Sequence, residues 1–421
     1  MNIWAIIYNI LIIPIIGLIY NILYLFNKKI KTRERNYKQY LNKIPPKSKD
    51  KLRILFHSSS MGEFEQAKPL IERLKRKSPN IEIIASFYSP SGFDNQKNYK
   101  FIDYIIYMPF DSFKKAKIYT KKTNPDIAVF IRYDIWRNHI AFFKYYRKPL
   151  ILINASKPSS IFAKFPIIKS FFKDIYSLFD EIYTLGQSHT EYFNKLNIRT
   201  KIFNSADTRY DRIMEKVSEN INSDILDNEL FNGKRVLVLG SSWREEEEII
   251  SKCFNQFKDK IFLIIVPHEP TKEHINKTKT LFPNHLLLSD YNQEYDYETE
   301  VLIVDSIGKL LALYSFADVA IVGGGFGKSV HSLSEPAGYS IPLACGPNID
   351  RSPEAAELID KGGLVVLKEL NDCIIFLNTI LDKNKAQRMG LISGNFIKDK
   401  IGSSNIITKK ILTLAEGKNR V

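Results

Sequence analysis

Apolar and polar positions along the chain fall into three regimes. Residues 3 to 26, IWAIIYNILIIPIIGLIYNILYLF, carry no charge over 24 positions, and at 1.5 Å per residue that run is long enough for a hydrocarbon layer of about 30 Å. Trp4, Tyr8, Tyr20 and Tyr24 lie toward its two ends, as interfacial aromatics do, and KKIKTRER follows from Lys28. Positive charge on that flank keeps it in the cytoplasm. The pattern predicts one transmembrane anchor over residues 1–27; a cleaved signal peptide would need a basic start, a shorter apolar stretch and a small-residue cleavage site.

Beyond the breaker IPPKSKD the chain changes to short apolar runs separated by amphipathic stretches. RILFH (53–57) reads as a buried strand, and EFEQAKPLIERLKRK then puts Ala67, Leu70, Ile71 and Leu74 on one helical face. IEIIA (81–85), DIAVFI (126–131), LILIN (150–154) and EIYTL (181–185) continue the series. A polar stretch from about 212 to 233 precedes a second run of the same kind: RVLVLG (235–240), IFLIIV (261–266), HLLL (285–288), VLIVD (301–305) and DVAIVGGG (318–325), with SIGKLLALYSFA read as a helix. Alternation of this sort implies parallel sheets covered by helices. The expected fold is α/β, two Rossmann-like doubly wound domains facing each other across a cleft, 28–212 and 213–421, with the last helix free to cross back. Ligands of such sheets sit beyond the carboxyl ends of the strands, so the residues just after each strand are where chemistry belongs.

Composition narrows the class. Of 421 residues 44% are hydrophobic and 25% charged, as in globular proteins rather than disordered ones. Cys253, Cys345 and Cys373 form no CxxC pair or metal-ligand spacing, which fits a reducing compartment. The net charge of +15 is unevenly placed: residues 28–150 hold 28 Lys and Arg against 11 Asp and Glu. The N-terminal half is thereby suited to an anionic surface, whether a membrane leaflet, a phosphorylated substrate or a nucleic acid.

Three turns carry candidate chemistry. RILFH runs into SSSMGEFEQ, where Ser60 and Gly62 precede Glu63 at a helix start. A first-turn acid is favoured by the helix dipole alone; a carboxylate there can also take a proton from a hydroxyl. GSSWREEEE follows the strand at 235–240, and Ser241 and Ser242 with free backbone amides suit an anionic oxygen or simply cap a helix. Glutamates 245 to 248 are expected on the solvent side, since they would oppose a phosphate. VGGGFGKSVHSLSEPAGYSIPLACGP (322–347) brings Gly324, Gly325, Lys328, His331, Ser332 and Glu335 together. Its glycines permit close ligand approach, but Val322 stands where a Walker A loop opens with glycine, which disfavours ATPase or kinase chemistry. Glu335 suits a pair of ribose hydroxyls, or is an ordinary helix-start acid.

The glycine-rich turn, histidine and Glu-Pro resemble the nucleotide-sugar site of GT-B glycosyltransferases, and in detail the family that transfers 3-deoxy-octulosonate (Kdo) to the lipid A precursor. SSSMGEFEQAKPLIERL resembles the segment with that family's catalytic glutamate, Glu63 here, and RYDIWRN resembles its ETELWPN segment. NASKPSS, GQSHTEYFNKLNI, SADTRYDRI, GSSWREEEE, VPHEP and DSIGKLLALYSFADVAIVGGG follow in family order. Arg132 replaces the first acid of the tryptophan segment and leaves Asp134 as its carboxylate; Ala206, Asp207, Arg209 and Asp211 stand in place of GN-x-K-x-D, and His268 replaces an arginine.

The resemblance implies an inverting transfer of Kdo from CMP-Kdo to lipid IVA in lipopolysaccharide core biosynthesis, on the cytoplasmic side of the bacterial inner membrane. It implies Glu63 and Asp134 as catalytic, Ser60, Gly62 and Arg132 toward the acceptor, and Ser241, Ser242, His268, Gly324, Gly325, Lys328, His331, Ser332, Glu335 and Arg209 toward the donor. No metal or other cofactor is called for, and no nucleic acid. Two other readings stay open: a membrane-anchored GT-B enzyme using a UDP-sugar and a lipid-linked acceptor, and, from a different class, a non-catalytic basic binding protein.

Overall fold

The computed structural model describes residues 3–158, 165–220, 223–292 and 298–416; Ser159 and Ser160 of the NASKPSS segment lie outside the described residues. The chain forms two compact units, Met1–Asp211 with Gly402–Val421, and Arg212–Ile401.

The first unit is built on a seven-stranded parallel sheet in the order β3-β2-β1-β4-β5-β6-β7. The strands are β1 Arg53–Ser58, β2 Glu82–Phe87, β3 Tyr104–Tyr107, β4 Ile127–Ile131, β5 Leu150–Ala155, β6 Glu181–Leu185 and β7 Lys201–Ser205. Every residue of β1 is buried, and its side chains alternate between two cores as the period of two dictates. Ile54 and Phe56 join Phe64, Ala67, Leu70, Ile71 and Leu74 of helix Met61–Lys77. Leu55 joins Phe130, Ile140 and Phe143 on the opposite face. Each fully buried side chain of this size contributes about 1.5–3 kcal/mol of transfer free energy. Burial on both faces explains why the strands read as continuous apolar runs.

The last helix, Ser403–Glu416, packs in this unit through Ile407, Ile411 and Ala415. Asp211 fixes its start, accepting hydrogen bonds from Gly402 N at 2.7 Å and Ser404 N at 2.8 Å. Asp211 is thus a cap for a distant helix. At the other end of the chain, Ile3–Phe26 is one apolar helix of 24 residues, with a π-helical turn at Tyr8–Ile12.

The second unit repeats the plan, all parallel, in the order β10-β11-β9-β8-β12-β13-β14. Its strands are β8 Arg235–Ser242, β9 Ile261–Pro267, β10 Leu286–Leu287, β11 Val301–Ile303, β12 Val319–Val322, β13 Leu343–Cys345 and β14 Leu364–Val366. Leu237, Leu239, Leu263, Ile265 and Ile321 pack against Ile250, Phe254, Phe376 and Leu377 from the covering helices. In each sheet the chain leaves the first strand in one direction and returns on its other side, between β1 and β4 and between β8 and β12. These are the switch points where a doubly wound sheet opens a crevice at its carboxyl edge.

Candidate active site

In the first unit the switch point places the turn after β1 beside the turn after β4. Helix Met61–Lys77 starts at Ser60, whose hydroxyl does not cap it; instead Glu63 reaches back, and Ser59 N donates to its Oε2 at 2.6 Å. Glu63 is half-buried. Burial pushes its carboxyl above the ordinary glutamate range against the Ser59 hydrogen bond, and the charge of Asp134 pushes the same way. Gly62 is exposed, and a Cβ added there would meet nothing within 4 Å.

Asp134 is held from two sides: Trp136 Nε1 donates to Oδ1 at 2.7 Å, and His57 Nε2 lies 2.9 Å from Oδ2. His57 is fully buried on β1, with Nδ1 3.0 Å from Ser86 Oγ, and Tyr119 donates its hydroxyl to that same oxygen at 2.6 Å. Toward the Asp134 carboxylate, which only accepts, Nε2 presents the His57 proton, and Nδ1 is then left to accept from the Ser86 hydroxyl. Sequence reasoning passed over His57, Ser86 and Tyr119 because each reads as an ordinary core position. The signal was a histidine inside an otherwise apolar buried strand.

Arg132, at a left-handed φ of 60°, points elsewhere. Its Nε donates to Gln66 Oε1 at 3.0 Å and its Nη2 lies 3.4 Å from Asp207 Oδ2. Arg209 shares that carboxylate, with Nε donating to Oδ2 at 3.0 Å. Arg132 and Arg209, expected on opposite sides of the reaction, therefore meet on one buried aspartate in the first unit. Arg209, expected at the donor, belongs to the first unit, on the helix Arg209–Asn220 where the chain passes into the second.

In the second unit the turn after β8 lies against the turn after β12. Gly323 N donates to Gly240 O at 2.9 Å, Ser241 takes a left-handed φ of 52° and Gly324 one of 86°. Gly325 is pressed against the next turn, where a Cβ would stand 2.6 Å from Gly346 N. Asn348 braces the loop, its N donating to Gly325 O at 2.8 Å and its Nδ2 to Gly327 O at 2.7 Å. Gly327 and Lys328 are exposed at its tip.

The acidic run after Ser242 corrects the expectation that glutamates 245 to 248 face solvent. Glu246 and Glu247 are each only 1% exposed. Glu246 ties the two turns together, accepting from Trp243 N at 3.0 Å and Phe326 N at 3.1 Å. Burial raises its pKa above the ordinary range despite these bonds. Glu247 accepts from Ser242 Oγ at 2.6 Å and Thr278 Oγ1 at 2.8 Å, and lies 3.0 Å from His274 Nε2. The Ser242 hydroxyl is thereby directed inward, while the Ser241 side chain stays partly exposed. A helical period of 3.6 puts two of four consecutive residues inward, so the run could not have been uniformly solvated.

Beside these turns His268 and His331 stack at 4.1 Å and 13°, and Trp243 Nε1 donates to His331 Nε2 at 3.0 Å. That bond makes Nε2 the acceptor nitrogen of a neutral ring; burial and then neighbouring His268 hold its pKa below the usual histidine value. Ser332 is exposed and Glu335 partly so. Glu335 lies near enough to the buried Tyr314 to add to the rise in its pKa that burial causes. The second unit thus assembles Ser241, His268, Gly324, Gly325, Lys328, His331, Ser332 and Glu335 around one carboxyl edge, with Trp243 as an aromatic partner that sequence reading left unassigned. Among the described residues no group of three or more His, Cys, Asp or Glu side chains is placed to hold a metal ion.

The chain is similar to known proteins over most of its length. Residues 29–212 match the family model described as 3-deoxy-D-manno-octulosonic-acid transferase (kdotransferase). The chain is similar to 3-deoxy-D-manno-octulosonic acid transferases of Chlamydia trachomatis, 28% identical over 80% of this chain and 80% of that one, and of Rickettsia prowazekii, 24% identical over 82% and 75%. In fold it is similar to a UDP-GlcNAc 2-epimerase from Neisseria meningitidis, with a TM-score of 0.58, 14% identity, and 86% of this chain and 100% of that one covered. MurG of Acinetobacter baumannii gives a TM-score of 0.53 at 11% identity over 86% and 99%. Residues 29–212 thus carry a domain matching the Kdo transferase family, the two units have a GT-B fold, and the chain is similar over most of its length to glycosyltransferases of that name.

Proposed function

We propose that the chain moves Kdo from CMP-Kdo to lipid IVA, with inversion at the anomeric carbon, on the cytoplasmic side of the bacterial inner membrane. The observation that carries this reading is Glu63: a half-buried carboxylate at the carboxyl edge of β1, aimed by Ser59 N and raised in pKa by burial and by Asp134. A carboxylate whose pKa is raised by burial is a stronger base toward a hydroxyl proton than a solvated one.

In this reading an acceptor hydroxyl gives its proton to Glu63 as its oxygen bonds to the anomeric carbon, and the bond from that carbon to the CMP phosphate oxygen breaks. Asp134, fixed by Trp136 and His57, keeps Glu63 basic and orients the acceptor with Ser60 and the Gly62 backbone. The cytidylate would lie on the turns of the second unit, its phosphate charge met by Lys328 and by the amides around Ser241, Gly324 and Gly325. His268, His331 and Ser332 would contact the sugar or phosphate, and Glu335 the ribose hydroxyls. Arg132 and Arg209, sharing Asp207, offer the acceptor's phosphate groups a second cationic patch. The scheme needs no resident metal.

The test is incubation of the purified full chain with lipid IVA and either CMP-Kdo, supplied by a regenerating system, or UDP-N-acetylglucosamine, read by mass spectrometry of the lipid. A lipid heavier by one or more Kdo units with the first donor alone supports the reading. Transfer from the UDP-sugar, or from neither, rejects it.

A further inference from the structure

The apolar N-terminal helix does not stand clear of the first unit. One face is docked on it from end to end: Trp4 Nε1 donates to Ser170 Oγ at 3.1 Å, Tyr8 OH to Asp111 Oδ2 at 2.8 Å, and Tyr20 OH to Glu34 Oε1 at 2.8 Å. Asn9 and Asn138 exchange amide hydrogen bonds at 3.0 and 2.8 Å. Tyr8 stacks on Phe171 and Tyr20 on Phe110, and a Cβ on Gly17 would touch Phe110 at 3.7 Å. The π-helical turn at Tyr8–Ile12 serves this docking, since i→i+5 bonding sets Tyr8 over Ile13 and both are buried. From Trp4 to Tyr20 the seam runs about 24 Å.

The other face is a continuous exposed apolar ribbon that includes Ile3, Leu11, Ile15, Leu18, Ile22 and Phe26. A helix crossing the bilayer in this docked state would carry Glu34, Asp111, Asn138 and Ser170 to hydrocarbon depth, along with Lys115, whose Nζ lies 2.8 Å from Glu34. Polar groups at that depth are costly. Cations flank both ends of the ribbon rather than one. Lys28 and Lys29 follow its C-terminal end, exposed, and at the N-terminal end Lys117 and Lys121 line a groove of about 710 Å³ with Ile6 and Ile10.

We propose that Ile3–Phe26 lies in the plane of one leaflet, apolar face down, so that the first unit is monotopic and its partner is a surface of anionic glycerophospholipid. This replaces the single span expected from the apolar run and is independent of the reaction assigned above. A helix with an apolar face immersed by about 5–10 Å and cations at headgroup level at both ends is the arrangement such a surface binds.

The test uses the full chain in vesicles of phosphatidylethanolamine and phosphatidylglycerol. Single-cysteine variants Ile3→Cys, Leu11→Cys, Ile15→Cys, Leu18→Cys, Ile22→Cys and Phe26→Cys are spin-labelled at exposed positions, the three native thiols being buried. Collision rates with oxygen and with a chelated nickel ion give the depth of each label. The proposal expects one shallow depth along the whole series. A profile that deepens to about 15 Å near Leu11 to Ile15 and shallows toward both ends, the signature of a span, overturns it, as does failure to bind the vesicles. Lys117→Gln/Lys121→Gln should weaken vesicle partition more than tenfold at low salt; unchanged partition refutes the headgroup contact at that end.

Discussion

Gly323 stands where the two ligand-facing turns of the second unit touch, and Gly323→Ala tests that contact. A Cβ built there falls 2.2 Å from Ser241 O and 2.8 Å from both Ser241 C and Ser242 Cα, all of them backbone atoms. Ordinary carbon–oxygen approach is about 3.3 Å, so the turns must part by about 1 Å, breaking the 2.9 Å bond from Gly323 N to Gly240 O. Overpacking of this kind costs about 1–3 kcal/mol, which lowers Tm by about 5 °C in a domain of this size. A misplacement of about 1 Å in a site costs on the order of 100-fold in function. Gly327→Ala is the control in the same loop, because its Cβ would meet only Gly324 O, at 3.7 Å. Thermal unfolding and calorimetric titration with CMP should show lost stability and about 100-fold weaker binding for Gly323→Ala, and little change for Gly327→Ala. Equal behaviour of the two variants would refute the close-approach argument.

The remaining expectations follow from single groups. Asp134→Asn removes the like charge that helps hold up the Glu63 pKa, so the acid limb of kcat/KM should move to lower pH; an unmoved or raised limb contradicts the coupling. Glu246→Ala cuts the ties to Trp243 N and Phe326 N, two charge-assisted hydrogen bonds, and should cost about 3 kcal/mol in denaturant unfolding. Asp111 is fully buried, and that burial raises its pKa to about 7. Its native state therefore binds more protons than the unfolded chain between about 4 and about 7, and stability must fall as pH rises through that window; Tm across it should decline less in Asp111→Asn. Cys253, Cys345 and Cys373 are buried, and Cys345 is pushed up to about 12 by burial and then by Glu246. Ellman's reagent at pH 8 should find no thiol in the folded protein and three after unfolding.

The tandem α/β plan was legible because strands buried on both faces leave uninterrupted apolar runs, as in β1, β4, β5, β8 and β9. Four strands were not foreseen. β3, β13 and β14 are three or four residues long, and β7 is an edge strand whose sequence KIFNS is mostly solvent-facing. The stretch from 212 read as linker begins inside helix Arg209–Asn220, polar enough to pass for a loop. Of the candidate site, the turns after β1, β8 and β12 could be found from strand ends and glycines. The partners of those turns could not, since His57 with Asp134, Gln66 with Arg132 and Trp243 with His331 meet only once the strands are ordered. The apolar run, too, discloses its length but not what its polar residues touch.

The reading of Glu63 as the base is tested by Glu63→Gln, which keeps the side-chain oxygen that can accept from Ser59 N and removes the proton acceptor. Initial rates of lipid mass increase with CMP-Kdo and lipid IVA should fall by about 10³-fold, with Tm and CMP affinity unchanged. Turnover within tenfold of the parent protein would contradict the assignment.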